Sequence, residues 1–338
     1  MTRNTRERSH LGRVMVLLII ILFVALSISS CGEETKTYRV GMLMGISFLA
    51  DIEAGFKDGM AELGYVEGEN IVYDVQVTEF DIPTYQSILQ KFVDDDVDLI
   101  VSFPTEATIE AKNITEGTDI PVVFTFAFIE GLGIVDTIQA PGGNVTGVRY
   151  PGVDIALLRY EMLREIMPDA TRIVLPYQAG YPIVPSQLEA LHAAAEADGV
   201  TLLEAPASSA AEVAAFLQDQ VVAGEPGFDV VLFLVEPLAT VPEVFLAVAD
   251  FGKEYQIPTM GIYSSTEGYA SIFGVNVGIY EAGLSAAAQA DKVLRGTDPA
   301  TLPVLSSEPY IEIDYSAAQA MGLEIPEALL AKADEIFR

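Results

Sequence analysis

From Tyr38 onward, short apolar runs rich in Val and Ile alternate with stretches whose apolar residues recur at three- and four-residue spacing. Runs of the first kind predict buried strands and stretches of the second kind predict amphipathic helices. Tyr38–Met44 is the first predicted strand, and Ile52, Phe56, Met60 and Leu63 mark one face of a helix over Asp51–Leu63 that Gly64 ends. Strands over Ile71–Thr78, Asp98–Phe103 and Pro121–Thr125 alternate with helices over Thr84–Asp95 and Glu106–Asn113. A Pro141-Gly142-Gly143 turn leads into a strand over Asn144–Arg149, and Pro151-Gly152 then interrupts the pattern.

A second series follows the interruption. Helices are predicted over Asp154–Met167, Pro185–Asp198, Ala210–Gln220 and Val241–Tyr255, and strands over Arg172–Tyr177, Thr201–Ala205, Asp229–Val235, Pro258–Ile262 and Ser271–Val275. The Ala-rich helix Tyr280–Leu294 is expected to return to the first half, while Tyr310–Asp314 and a last helix over Pro326–Phe337 close the second. The expected fold class is α/β: two doubly wound parallel-sheet lobes, about five strands each, joined by a multi-strand hinge with a ligand cleft between them. The expected boundaries are a leader over 1–30, a tether over 31–37, a first lobe over 38–149 plus about 278–306, and a second over 150–277 plus about 307–338.

The leader has its own pattern. Arg3, Arg6, Arg8 and Arg13 precede an unbroken apolar run of thirteen residues, Val14–Leu26. A helix of that length spans about 20 Å, short of the roughly 30 Å hydrocarbon core, so it reads as a signal peptide. Ile28-Ser29-Ser30-Cys31 then resembles the lipobox of bacterial lipoproteins, and Cys31 is the only cysteine of the chain. The resemblance implies that cleavage leaves Cys31 as a lipid-bearing N-terminus; the plain alternative is a secretory signal beside an incidental cysteine.

Composition narrows the chemistry. The 338 residues carry 18 Lys and Arg against 49 Asp and Glu, a formal charge of −31. Without residues 1–30 there remain 14 basic and 48 acidic side chains and a charge of −34. Such a surface repels phosphate, so no nucleic-acid partner is expected. One cysteine and two histidines, His10 and His192, exclude an intramolecular disulfide and a Cys-based zinc cluster and equip the chain poorly for His-centred catalysis. Asp94-Asp95-Asp96 and Asp98 lack the spacing and glycine of a calcium loop, and no P-loop or nucleophile elbow occurs. No metal, no cofactor and no catalysed reaction are expected.

Several segments carry a family resemblance. They are Val40-Gly41-Met42-Leu43, Glu62-Leu63-Gly64-Tyr65-Val66-Glu67-Gly68-Glu69-Asn70, Val97–Val101, Asp119–Phe124, Pro141–Val148 and Ala318–Pro326. Together they resemble the bacterial ABC-transporter substrate-binding lipoproteins, of the type I periplasmic-binding-protein kind, whose characterised members bind tryptophan, phenylalanine or related small molecules. The resemblance implies an extracytoplasmic, lipid-anchored, monomeric receptor that passes a small polar solute, an aromatic or other amino acid, to a membrane permease driven by a separate ATPase. A ligand-sensing module for a membrane signalling receptor is the alternative that the same fold permits.

In open α/β sheets ligands sit beyond the carboxyl ends of the strands, so the loops there supply the candidates. Ser47, Thr105 and Glu106 follow the first and third strands; Ser47 is a candidate carboxylate holder or a turn residue, Thr105 a helix cap or a ligand contact, and Glu106 a ligand contact or a helix-dipole charge. Thr125 and Phe126 follow the fourth strand, where Phe128-Ile129-Glu130 departs from the polar motif of the family. In the second half the candidates are Tyr177, Gln178, Glu236, Tyr263, Ser264 and Asn276. Phe126, Phe128, Tyr177, Tyr181 and Tyr263 are flat surfaces for a ring, and Glu236 is a carboxylate for a ligand ammonium. Asn276 stands where the family commonly has Asp, which removes one negative charge.

Overall fold

A computed structural model describes residues 36–338. The predicted leader and Cys31 lie outside the described residues.

The first half builds one parallel sheet. Its elements are β1 (Tyr38–Met44), α1 (Ala50–Glu62), β2 (Ile71–Val77), α2 (Ile82–Asp94), β3 (Leu99–Phe103), α3 (Thr105–Thr115), β4 (Val122–Ala127) and β5 (Val145–Arg149). The last five residues of β1 and all of β3 are buried, as a strand covered on both faces requires. Residues 150–152 then cross to the second half, which contains α4 (Gly152–Ile166), β6 (Arg172–Gln178), α5 (Val184–Asp198), β7 (Thr201–Ala207), α6 (Ala210–Asp219), β8 (Val230–Leu232), α7 (Pro242–Tyr255), β9 (Thr259–Met260) and β10 (Phe273–Val277). The chain returns through α8 (Ile279–Leu294) and β11 (Leu305–Ser306), then crosses again into β12 (Pro309–Asp314), α9 (Tyr315–Ala320), α10 (Glu327–Leu330) and β13 (Glu335–Phe337).

The first sheet has the order β11-β5-β4-β3-β1-β2, all parallel. One face packs on α1 and α8, the other on α2 and α3. The Ala-rich α8 lies against α1 so closely that a Cβ on Gly283 would stand 2.2 Å from the Ile52 carbonyl oxygen, and one on Gly55 2.1 Å from that of Tyr280.

The second half is less regular than the five-strand sheet expected. Four parallel strands run β9-β8-β6-β7, and a separate sheet runs β10-β12-β13 with β10 and β12 antiparallel. A single bridge between Gly261 and Gly274 joins the two. The predicted last helix over Pro326–Phe337 stops at Leu330, and the chain turns back as β13. Asp334 causes the reversal: its carboxylate accepts the Ile311 N–H at 2.8 Å and its N–H donates to the Ile311 carbonyl at 2.8 Å, which seats Ile336 beside Ile313.

Three crossings, at 150–152, 278 and 307–308, therefore link the lobes, and a charge cluster ties them together. Arg149 at the end of β5 pairs with Glu130 and Asp154 and donates to the Ser306 hydroxyl at 2.8 Å. Glu130, a departure from the family pattern in the sequence, is thus a hinge residue.

Candidate functional site

The loops after β3 and β6, at the carboxyl ends of parallel strands in the two lobes, meet directly across the interlobe cleft. The Tyr181 hydroxyl, in the loop after β6, donates to Glu106 Oε1 in the first turn of α3 at 2.9 Å. Both side chains are half-buried, one from each lobe.

On the first-lobe wall, Ser47 is exposed on the rim and its N–H donates to Glu79 Oε1 at 3.2 Å. Thr105 is the first residue of α3 and not its cap, which is Pro104; its buried hydroxyl accepts the Phe128 N–H at 3.0 Å and ties the end of β3 to the end of β4. Thr125 is a correction to the sequence reading. It is fully buried and its hydroxyl donates to the Ala282 carbonyl of α8 at 3.1 Å, so it faces the sheet covering and not the cleft. The next residue does turn to the cleft. Phe126 has φ +52° at a bulge in the β4–β5 pairing, a strained conformation for a bulky residue. Its ring meets Tyr150 edge-on at 4.9 Å, Phe128 stacks on the same Tyr150 at 4.9 Å, and Phe126 touches the cores of both lobes.

On the second-lobe wall, Glu236 is buried and accepts three backbone N–H groups, from Gln178 at 3.2 Å, Leu238 at 2.9 Å and Ala239 at 3.1 Å. It fastens the loop after β6 to the loop after β8. Asn276 on β10 accepts Arg159 Nη2 through Oδ1 at 3.1 Å.

Three further sequence candidates are turned elsewhere. Tyr177 is buried with its hydroxyl on Glu204 at 2.7 Å, and the same carboxylate meets His192 Nε2 at 2.7 Å on the outer flank of β7. Tyr263 stacks flat on Phe337 at 4.2 Å, and Ser264 closes a hairpin by accepting the Ser271 N–H at 2.9 Å. Strand alternation sets which side chains of a strand end face the cleft, and composition does not reveal that phase.

Two residues escaped sequence reading. Arg159 of α4 is fully buried: Nε and Nη2 donate to the Val275 carbonyl, Nη1 to that of Phe233, and Nη2 also to Asn276. The signal was an arginine on the apolar stripe that Ile155, Leu163 and Ile166 define. Tyr150, at the first crossing, is the other; it directly precedes the Pro151-Gly152 interruption.

A cavity of about 690 Å³ lies at the opposite pole, lined by residues such as Tyr38, Asp98, Lys112, Asn144 and Asp298. These stand at the amino ends of the strands, whereas ligands of open α/β sheets sit beyond the carboxyl ends, so the cleft is the better site. Among the described residues no group of three metal-ligating side chains occurs, and no helix is long and apolar enough to cross a membrane.

Residues 43–337 match the family described as ABC transporter substrate binding protein. The chain belongs to that family. A tyrosine-binding protein of Clostridioides difficile is 27% identical over 296 residues, 86% of this chain and 82% of that protein. The ligand-free, open structure of a substrate-binding protein with adhesive properties from Clostridium difficile is 25% identical, with a TM-score of 0.72 over 89% of this chain and 99% of that one. A Streptococcus pneumonia domain in complex with L-Trp is 24% identical, with the same TM-score of 0.72 over 89% and 100%, and bears on the fold alone. Families of this kind bind solutes and are not enzymes.

Several buried titratable groups of this substrate-binding protein lie near the junction of the lobes. Burial pushes the Glu236 carboxyl up to about 7, against the lowering by its three N–H partners and Arg159. Burial draws the Arg159 guanidinium down to about 10, and pushes Tyr150 up to about 12. Tyr181 is raised far above its ordinary value by burial first, then by Glu106, with which it is hydrogen-bonded, and by Glu236.

Proposed function

We propose that the protein is the lipid-anchored receptor of an ABC importer that captures an amino acid with an aromatic side chain between its lobes and delivers it to a membrane permease. The observation that carries this reading is the interlobe contact of Tyr181 with Glu106, flanked by Glu236 and by the aromatic group Phe126, Phe128 and Tyr150. Aromatic faces accept a ring, and a carboxylate with unshared lone pairs accepts an ammonium in a desolvated place where that bond is strong. The tyrosine-binding relative supports the same ligand class.

Closure gives transport its signal. A solute that touches both walls stabilises the closed form by the contacts it gains there, and the permease reads the closed shape. Energy and pore belong to other chains. The anchor is assigned to Cys31 from the lipobox resemblance.

Titration calorimetry of the purified protein with L-tyrosine, L-tryptophan and L-phenylalanine tests the ligand. Saturable binding of at least one is expected, and silence toward all three would remove the assignment. Intact mass measurement of membrane-extracted protein tests the anchor: a mass that begins at Cys31 with added acyl chains is expected, and an uncleaved, unmodified chain would refute it.

A further inference from the structure

Among the described residues one buried side-chain polar atom has no hydrogen-bond partner, the Oγ of Ser307. A buried hydroxyl without a partner is costly, and such groups are rare enough that each calls for a cause. Ser307 is 7% exposed and lies on the third crossing between the lobes, directly after β11.

Its neighbours are defined by the sheet. β11 pairs in parallel with β5, with Leu305 beside Val148 and Ser306 beside Arg149, and the Ser307 N–H donates to the Arg149 carbonyl at 3.0 Å. Continuing that register by one residue sets Ser307 beside Tyr150, and partners in a parallel pair project from the same face. The Tyr150 N–H in turn donates to the Ala127 carbonyl at 2.8 Å, so the end of β4, the first crossing and the third crossing lie side by side where the lobes join. Tyr150 feels burial and Arg159, with no hydrogen bond among the influences on its hydroxyl.

The other polar groups of this junction are committed. Arg149 is taken by Glu130, Asp154 and Ser306, the Asn276 oxygen by Arg159, and the Thr105 hydroxyl by the Phe128 N–H. Two hydroxyls on adjacent crossings remain, beside an aromatic group that both lobes share.

We propose that Ser307, with Tyr150 on the adjacent crossing, is a solute-binding residue on the cleft floor that donates to an oxygen of the captured molecule. This rests on the reading that a small organic solute is held between the lobes, and adds where one of its oxygen acceptors, carboxylate, carbonyl or hydroxyl, is received. A hydroxyl suits this position because it lies on a hinge strand: it meets the solute at the pivot, where closure moves the chain least.

Ser307→Ala and Tyr150→Phe in the full-length protein, purified in detergent, test the inference through two readouts. Without solute, the melting temperature of Ser307→Ala is expected to equal or exceed that of the wild type, because an unpaired hydroxyl is removed. In calorimetry with L-tyrosine, L-tryptophan and L-phenylalanine, each variant is expected to bind about tenfold more weakly, the scale of one hydrogen bond. A lower melting temperature of solute-free Ser307→Ala would show that water or protein already satisfies the hydroxyl, and undiminished binding by that variant would show that the solute ignores it; either sinks the inference alone. A wild type that binds none of the three would sink the functional reading together with it.

Discussion

Glu236 places a titratable group inside the second-lobe wall with its ordinary value of 4.5 displaced to about 7 by burial. Between those values the native chain keeps a proton that the unfolded chain has released, so the native state binds more protons there and stability must fall as pH rises through the window. At ~1.4 kcal/mol per pKa unit the fall approaches roughly 3 kcal/mol. Urea unfolding from pH 4.5 to pH 7.5 should show the decline in the wild type and a flatter profile in Glu236→Gln; parallel profiles would argue that the carboxyl is ionised throughout. Arg159 is the complementary case. Arg159→Met strips the Val275 and Phe233 carbonyls of their buried donor and is expected to cost roughly 2–5 kcal/mol in the same assay. A variant as stable as the wild type would mean that water replaces the guanidinium. Glu236 was legible in the sequence because it ends an apolar strand run and precedes a Pro-capped turn. Arg159 was not, because the partners that justify its burial come from segments more than seventy residues away.

At the scale of the element, the close approach of α1 and α8 depends on what is missing from Gly55 and Gly283. Any side chain there meets backbone oxygen, which cannot yield as the end of a flexible side chain can. Gly283→Ala is expected to lower stability by about 1–3 kcal/mol, the range for overpacked cores, measured by thermal unfolding. An unchanged midpoint would show that the helices slide apart freely. The parallel elements of the first lobe were readable from the chain because each strand is a continuous apolar run and each helix a clear stripe. The end of the chain was not: Glu327–Leu330 begins with helical spacing, but Asp334 finds its partner in Ile311, a pairing between strands that no local pattern announces. The same limit misled the reading of Tyr177, Tyr263 and Thr125, whose positions at strand ends were right and whose facing was not.

At the scale of the molecule, the two lobes are bound by a tripled hinge on one side and by Tyr181 and Glu106 on the other. On the proposed capture of a solute between the lobes, this direct contact would help to hold them shut. Tyr181→Phe keeps the ring and removes the donor, and is expected to speed solute dissociation about fivefold, the equivalent of about 1 kcal/mol, with little change in association. Stopped-flow displacement of bound L-tyrosine would measure both; a slowed association with unaltered dissociation would place the residue at the entrance instead of the latch.

β1 begins at the pole that Tyr38 shares with the 690 Å³ cavity and runs toward the cleft. On the proposal that Cys31 carries the anchor, only residues 32–35 stand between it and Lys36, which pairs with Asp98 on the body, a reach of at most about 18 Å. On that proposal a body tied by its far end on a short cord would roll onto its flank to bring its mouth to a neighbour in the same bilayer. If the proposed anchor and importer role hold, trimming residues 32–35 should therefore starve uptake while leaving capture in solution intact.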